Sequence, residues 1–206
     1  MSTAPTPESS NEQTGKPYYP CMQAVDEQQL ILLAKERDPS AFRALVERHM
    51  KDAYNVAFGI LRNHDDAADV SQEAFIRVHR GIQDFRGDSG FKTWLYRITT
   101  NLALDKSKQN KSRLKYEIKQ TDSSVELAGH TPPNTESADV AMHIERALHE
   151  LPTLQRAVVL LRHINGLSTK SVSDILQCSE GTVKTHLHRG LKKMRKSLDF
   201  LKEDAR

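Results

Sequence analysis

Between Gly181 and Leu198 the chain carries Lys184, Arg189, Lys192, Lys193, Arg195 and Lys196 and not one acidic residue. Cations at that density neutralise phosphates, and an arginine among them can reach guanine O6 and N7 with both arms of its guanidinium. Their spacing is helical. Thr185, Arg189, Lys192 and Lys196 fall on one side, with Lys184 and His188 on a flank, while Val183, Leu187, Leu191, Met194 and Leu198 make an apolar stripe opposite. A helix fastened by one side and offering cations on the other is how a helix-turn-helix presents its second helix to a major groove. A basic face taken alone is usually only solvated surface. Here the tight turn before it, the apolar anchor and the absence of carboxylates coincide, and together they favour DNA.

Two further groups of residues could do chemistry. Phe91, Trp94 and Tyr96 stand among Lys92, Arg97, Lys106, Lys108, Lys111, Arg113, Lys115 and Lys119, against only Asp105 and Glu117. Charge for phosphates beside flat rings for bases suits a single strand. The competing reading is core packing, evenly balanced for Trp94 and favoured for Phe91 and Phe85. Upstream, Asp69, Gln72 and Glu73 gather opposite Ala67, Val70, Ala74 and Val78, with Asp65 and Asp66 at the positive end of the same helix. That acidic, amide-bearing face is either solvated or a docking surface for a basic partner.

Helices must position all three groups, and the apolar spacing supplies them. A helical pattern begins at Asp26, pauses at Asp38-Pro39-Ser40 and resumes to Leu61; another runs from about Asp66 to Gly81. A loop over Gly81–Gly90 precedes a long cationic helix from Phe91 to Lys119. The pattern returns at Ala138, restarts at Leu151-Pro152, and breaks at a glycine before the final pair of helices, which Cys178-Ser179-Glu180-Gly181 joins with Ser179 or Glu180 as cap. Residues 1–25 are rich in Pro, Ser, Thr and Gln and read as a disordered tail; residues 120–137, with a Pro-Pro pair, read as a flexible linker. The expected fold is all-α: a helical domain over 26–119, the linker, and a second helical domain over 138–206 containing the helix-turn-helix. From the linker composition the two domains are expected to move freely.

With 206 residues, 37% hydrophobic and a net charge of only +3, the chain suits small helical units, and where charge lies matters more than its sum. Two cysteines, Cys21 and Cys178, offer neither a disulfide framework nor zinc spacing. The start lacks a signal-peptide pattern and no run approaches a membrane span, so a cytoplasmic protein is expected. Gly87-Asp88-Ser89-Gly90 copies a serine-protease tetrapeptide, but that chemistry needs a β-scaffold and a histidine base that nothing here supplies. Cys178, His186 and His188 have no metal-site spacing. Neither catalytic residues, metal, cofactor nor small-molecule substrate is expected.

Residues 65–101, DDAADVSQEAFIRVHRGIQDFRGDSGFKTWLYRITTN, resemble the second conserved region of extracytoplasmic-function (group IV) RNA polymerase sigma factors, and residues 151–198 resemble their fourth. The FRGDS-x-F-x-TWLYRI-x-x-N run is sigma-E-like. The resemblance implies a protein that joins bacterial core RNA polymerase, recognises promoter DNA and helps open it at stress-response promoters. Carried over by position, Asp69, Gln72 and Glu73 would bind the polymerase. Phe85, Arg86, Ser89, Lys92, Trp94, Tyr96, Arg97, Thr100 and Asn101 would hold the single-stranded −10 element. Thr182, Lys184, Thr185, His188, Arg189 and Lys192 would enter the duplex −35 element. The resemblance also implies an anti-sigma factor, often membrane-bound in this family. Ser171, Ser173, Gln177, His188 and Leu191 depart from the family's usual residues. The alternative is a stand-alone helix-turn-helix regulator, which would need a sensory or dimerisation domain where the acidic face and aromatic-basic helix stand.

Overall fold

The computed structural model describes residues 25–120 and 136–202, so the expected tail and linker lie almost entirely outside the described residues. Every regular element among those residues is helical, as the apolar spacing predicts. The described residues fall into two compact units, one up to residue 45 and one from residue 46 onward.

In the first unit, α1 (Glu27–Lys35) begins at Asp26, whose carboxylate accepts the Gln28 amide at 3.1 Å. Glu27 in its first turn and Lys35 in its last oppose the helix dipole. Leu30 and Ala34 are buried. Arg37, in the left-handed region at φ 68°, turns the chain, and Asp38 accepts the Ser40 and Ala41 amides at 2.7 and 3.1 Å to start α2 (Pro39–Leu61). Pro39 sits where a missing amide proton costs nothing.

The second unit takes the rest of α2 and then α3 (His64–Gly81), α4 (Phe91–Gln120), α5 (Glu136–His149), α6 (Thr153–Val159), α7 (Thr169–Leu176) and α8 (Glu180–Ser197). Asn63 caps α3 by accepting the Asp66 amide at 2.8 Å. The four residues expected on the buried side of α3 are buried, with Ser71 and Phe75 beside them. A 3-10 turn over Ile82–Asp84 leads into the loop before α4. At its C-terminal end α6 widens into a π-helical turn, Leu160–Ile164, and Gly166 at φ 68° redirects the chain to α7. Such a turn inserts one residue into the ladder and re-aims the chain beyond it.

Ser168 and Ser179 cap α7 and α8, accepting the Ser171 amide at 2.9 Å and the Thr182 amide at 3.1 Å. Between those helices Gln177 adopts φ 49°, ψ 46°, the left-handed position where glycine is usual. The anchor stripe of α8 differs from expectation at one point. Val183 is fully buried and Leu187 and Met194 are half-buried, but Leu191 is 37% exposed, and the buried position is Gly190. A Cβ at Gly190 would lie 2.9 Å from Val159 Cγ2, so α6 crosses α8 where only a glycine fits and the seam passes through residue 190 instead of 191.

The larger departure concerns the packing of the two halves. Val56, Ala57, Ile60, Tyr96 and Ala103, from α2 and α4, share one hydrophobic cluster with Leu151, Val158, Leu160, Leu161, Val172, Ile175 and Val183. Free movement of the halves was the expectation; the structure joins them through a common core. The cause is apolar surface on α2 and α4 that α3 leaves uncovered and that gains about 25 cal/mol for each Å² removed from water. Linker composition carries no information about that surface.

Candidate nucleic-acid interface

The basic side of α8 is open. Lys184, Thr185, His188, Arg189 and Lys192 are all exposed or partly so, and Thr185 donates its hydroxyl proton to the Gly181 carbonyl at 2.9 Å. Thr182 is half-buried, with its hydroxyl 2.9 Å from Ser179 Oγ, so it is tied to the cap that starts the helix. Five of the six residues expected to read duplex DNA thus stand on one side of a helix that is capped, anchored and devoid of carboxylates beyond its first turn.

The nine residues expected at the single strand divide by burial. Arg86, Ser89, Lys92 and Arg97 are exposed, and Trp94 and Asn101 are half-buried. Phe85 is 8% exposed, and its ring stacks on Trp94 with centroids 4.8 Å apart; Phe91 meets both rings edge-on. Trp94 thus packs in part, with Phe85 stacked on its indole, and stays partly open to solvent. Lys92 is 2.8 Å from Asp52, and that carboxylate raises its pKa above the ordinary lysine value, so the ammonium is charged. Tyr96 and Thr100 are 1% and 0% exposed. The Tyr96 hydroxyl accepts the Asn165 amide at 3.1 Å, and the Thr100 hydroxyl has no hydrogen-bond partner.

The acidic face of α3 is as expected, with detail that spacing alone does not reveal. The Asp69 side chain is 72% exposed and Gln72 is exposed, while Glu73 accepts Arg77 Nε at 3.0 Å. Lys106 of α4 reaches Asp66 at 3.0 Å and Asp69 at 3.9 Å, and Asn110 donates to Asp66 at 2.7 Å. Sequence reasoning passed over Ile76, which is exposed on the same side; its signal was the 69, 72, 73, 76 spacing of one helical stripe. It also passed over Asn165, whose partner is 69 residues away and therefore invisible to any local pattern.

Two family models match the chain: Sigma-70 region 2 over residues 45–113 and Sigma-70, region 4 over residues 141–194. An ECF RNA polymerase sigma factor of Bacillus subtilis, SigW, is 34% identical over 82% of this chain and 94% of its own length. The chain belongs to the extracytoplasmic-function sigma factors. It is a sigma factor that acts with bacterial RNA polymerase and promoter DNA in transcription initiation. The RNA polymerase sigma-H factor of Pseudomonas aeruginosa is 32% identical, covering 87% of this chain and 97% of the relative. Among solved structures, the fold resembles that of RpoE in complex with the anti-sigma factor NepR from Bartonella quintana, with a TM-score of 0.62, 23% identity, and coverage of 77% of this chain and 96% of the other. CnrH in complex with the cytosolic domain of CnrY gives a TM-score of 0.61 at 24% identity, covering 84% of this chain and 97% of the other. These two likenesses concern the fold. The stand-alone regulator is not favoured, because both sigma regions are present.

Proposed function

We propose that the chain divides promoter recognition between residues 26–119 and residues 138–206, as a non-catalytic, cytoplasmic subunit acting at stress-response promoters. Asp69, Gln72 and Glu73 dock on the polymerase. Arg86, Ser89, Lys92, Trp94, Arg97 and Asn101 hold the displaced strand of the −10 element, Tyr96 and Thr100 join them, and Phe85 supports the indole. Lys184, Thr185, His188, Arg189 and Lys192 read the −35 duplex, and Thr182 seats the helix that carries them. The observation that carries this reading is the coexistence in one chain of a carboxylate-free, exposed helix face and an aromatic-cationic surface at the start of α4. Duplex and single strand demand those two chemistries separately. No helix among the described residues is long and apolar enough to cross a membrane.

An anti-sigma factor is proposed as a second partner, supported by the similar fold of RpoE, whose structure contains one. The test of the promoter role is permanganate footprinting on a linear promoter fragment mixed with purified core polymerase. Thymines around −10 become reactive only when the chain is added. Reactivity that is the same with and without it removes the role assigned to the α4 surface.

A further inference from the structure

At the start of α4 a cation stands where the helix dipole opposes it. Lys92 is the second residue of the helix, and no acidic residue lies in that first turn to offset its positive end. The missing negative charge comes from α2. Asp52 holds the Lys92 ammonium at 2.8 Å, with the two side chains 33% and 50% exposed. Nδ1 of buried His49, three residues earlier on α2, stands 3.8 Å from the same carboxylate. The His49 ring packs on Phe91, which in turn meets Trp94 edge-on, so the group behind the carboxylate also backs the aromatic surface. The Lys92 ammonium lies 5.6 Å from the centre of the Tyr96 ring. It is thus held by a carboxylate and a ring, with half of the side chain open to solvent.

An exposed ion pair adds little to stability. On a strand-binding surface it acts in another way. Two opposite charges 2.8 Å apart largely cancel for a phosphate several ångströms beyond them, so the pair attracts a nucleic-acid backbone only weakly. What survives the cancellation is direction. An ammonium has three N–H donors, and the carboxylate that takes one fixes where the others point. We infer that Asp52 makes Lys92 a reader of a base edge instead of a phosphate contact: the carboxylate cancels the charge toward the backbone and aims the free donors at a carbonyl oxygen of a −10 base. Guanine, thymine and cytosine carry such an oxygen and adenine does not. The ligand class is therefore a displaced strand without adenine at one position. The inference deepens the reading given under the proposed function and rests on it, since it takes Lys92 to lie at the displaced strand. Asp52 acts through Lys92 and is a positioning residue.

The test uses holoenzyme reconstituted from core polymerase and the full chain, with core polymerase alone as the blank. The probe is a pool of short random single strands. Retained strands are sequenced and aligned for base preference, and affinity for the whole pool is followed against salt. Each phosphate neutralised on a single strand contributes about 0.7 to the slope of log K against log salt, so the slope counts phosphate contacts and is blind to base contacts. Two variants separate the roles. Lys92→Met removes donor and charge together, whereas Asp52→Asn keeps the shape of the partner and frees the ammonium. Circular dichroism and affinity for core polymerase confirm that each variant is folded.

In the parent, adenine is expected to be depleted at one position by about tenfold, the low end for a hydrogen bond from a charged donor. Lys92→Met should lose that depletion with the salt slope unchanged. Asp52→Asn should lose it too, while its slope steepens by about 0.7 as the freed ammonium finds a phosphate. A slope that flattens by about 0.7 in Lys92→Met, with base preference intact, makes Lys92 a phosphate contact and overturns the inference. Either variant matching the parent in both readouts also overturns it. Retention of the pool no better than by core polymerase alone is a separate failure, which removes the strand-holding role of α4 itself and the inference with it.

Discussion

At the scale of single residues, chemistry and strain are both readable. Arg189 is exposed on the open side of α8 and carries the forked guanidinium that guanine accepts. Arg189→Ala is expected to cost about 1–3 kcal/mol at one −35 base pair and little at the others. Binding measured across a set of single-base promoter variants checks this, and equal loss at every sequence would make it a phosphate contact. Gln177 holds a left-handed conformation that costs a side-chain-bearing residue roughly 1–2 kcal/mol. Gln177→Gly removes that cost at the expense of some unfolded-state entropy, so urea denaturation should show a net gain of about 1 kcal/mol or less. Exposed cations were legible from type and spacing, and Gln177 stood out only as a departure from the resembled family's usual residue. The contact made by buried Tyr96 was not, because its partner Asn165 lies 69 residues downstream, beyond the reach of helical period.

Whole elements were the most legible level, since capping and periodicity are local. Asp38, Asn63 and Ser179 accept the amides that begin α2, α3 and α8. The one error of register, Leu191 for Gly190, arises because a glycine inside a helix signals either weakness or close approach, and only the position of α6 decides which. Valine and glycine differ little in helix propensity, so Gly190→Val reports the α6–α8 crossing almost alone. It should destabilise by about 1–3 kcal/mol, read from the denaturation midpoint. On α3, Asp69→Ala with Glu73→Ala leaves Ala67, Val70, Ala74 and Val78 packed, so circular dichroism should be unchanged while affinity for core polymerase falls. Unchanged affinity would detach the acidic face from that role.

For the molecule as a whole, the shared core that joins α2 and α4 to the C-terminal helices was not legible, because helical spacing does not say which apolar surfaces meet. The junction also gathers charge. Arg62 of α2 pairs with Glu145 of α5, while burial, together with Arg156 and Arg62, pushes the His149 pKa below its ordinary 6.5. A histidine with a depressed folded-state pKa resists protonation in the folded form. The folded chain should therefore keep its stability above pH 6.5 and lose some as pH falls below it, a loss that His149→Gln reduces in pH-dependent melting curves.

Both faces of the chain are assigned to a single promoter, one to each of its elements. Run-off transcription with purified core polymerase tests that most directly, on a template whose upstream and downstream elements can be scrambled independently. The expected product is a single transcript of defined length that requires the added chain and disappears when either element is scrambled. The absence of any chain-dependent transcript, on templates and with core enzyme that respond to another sigma factor, would contradict it.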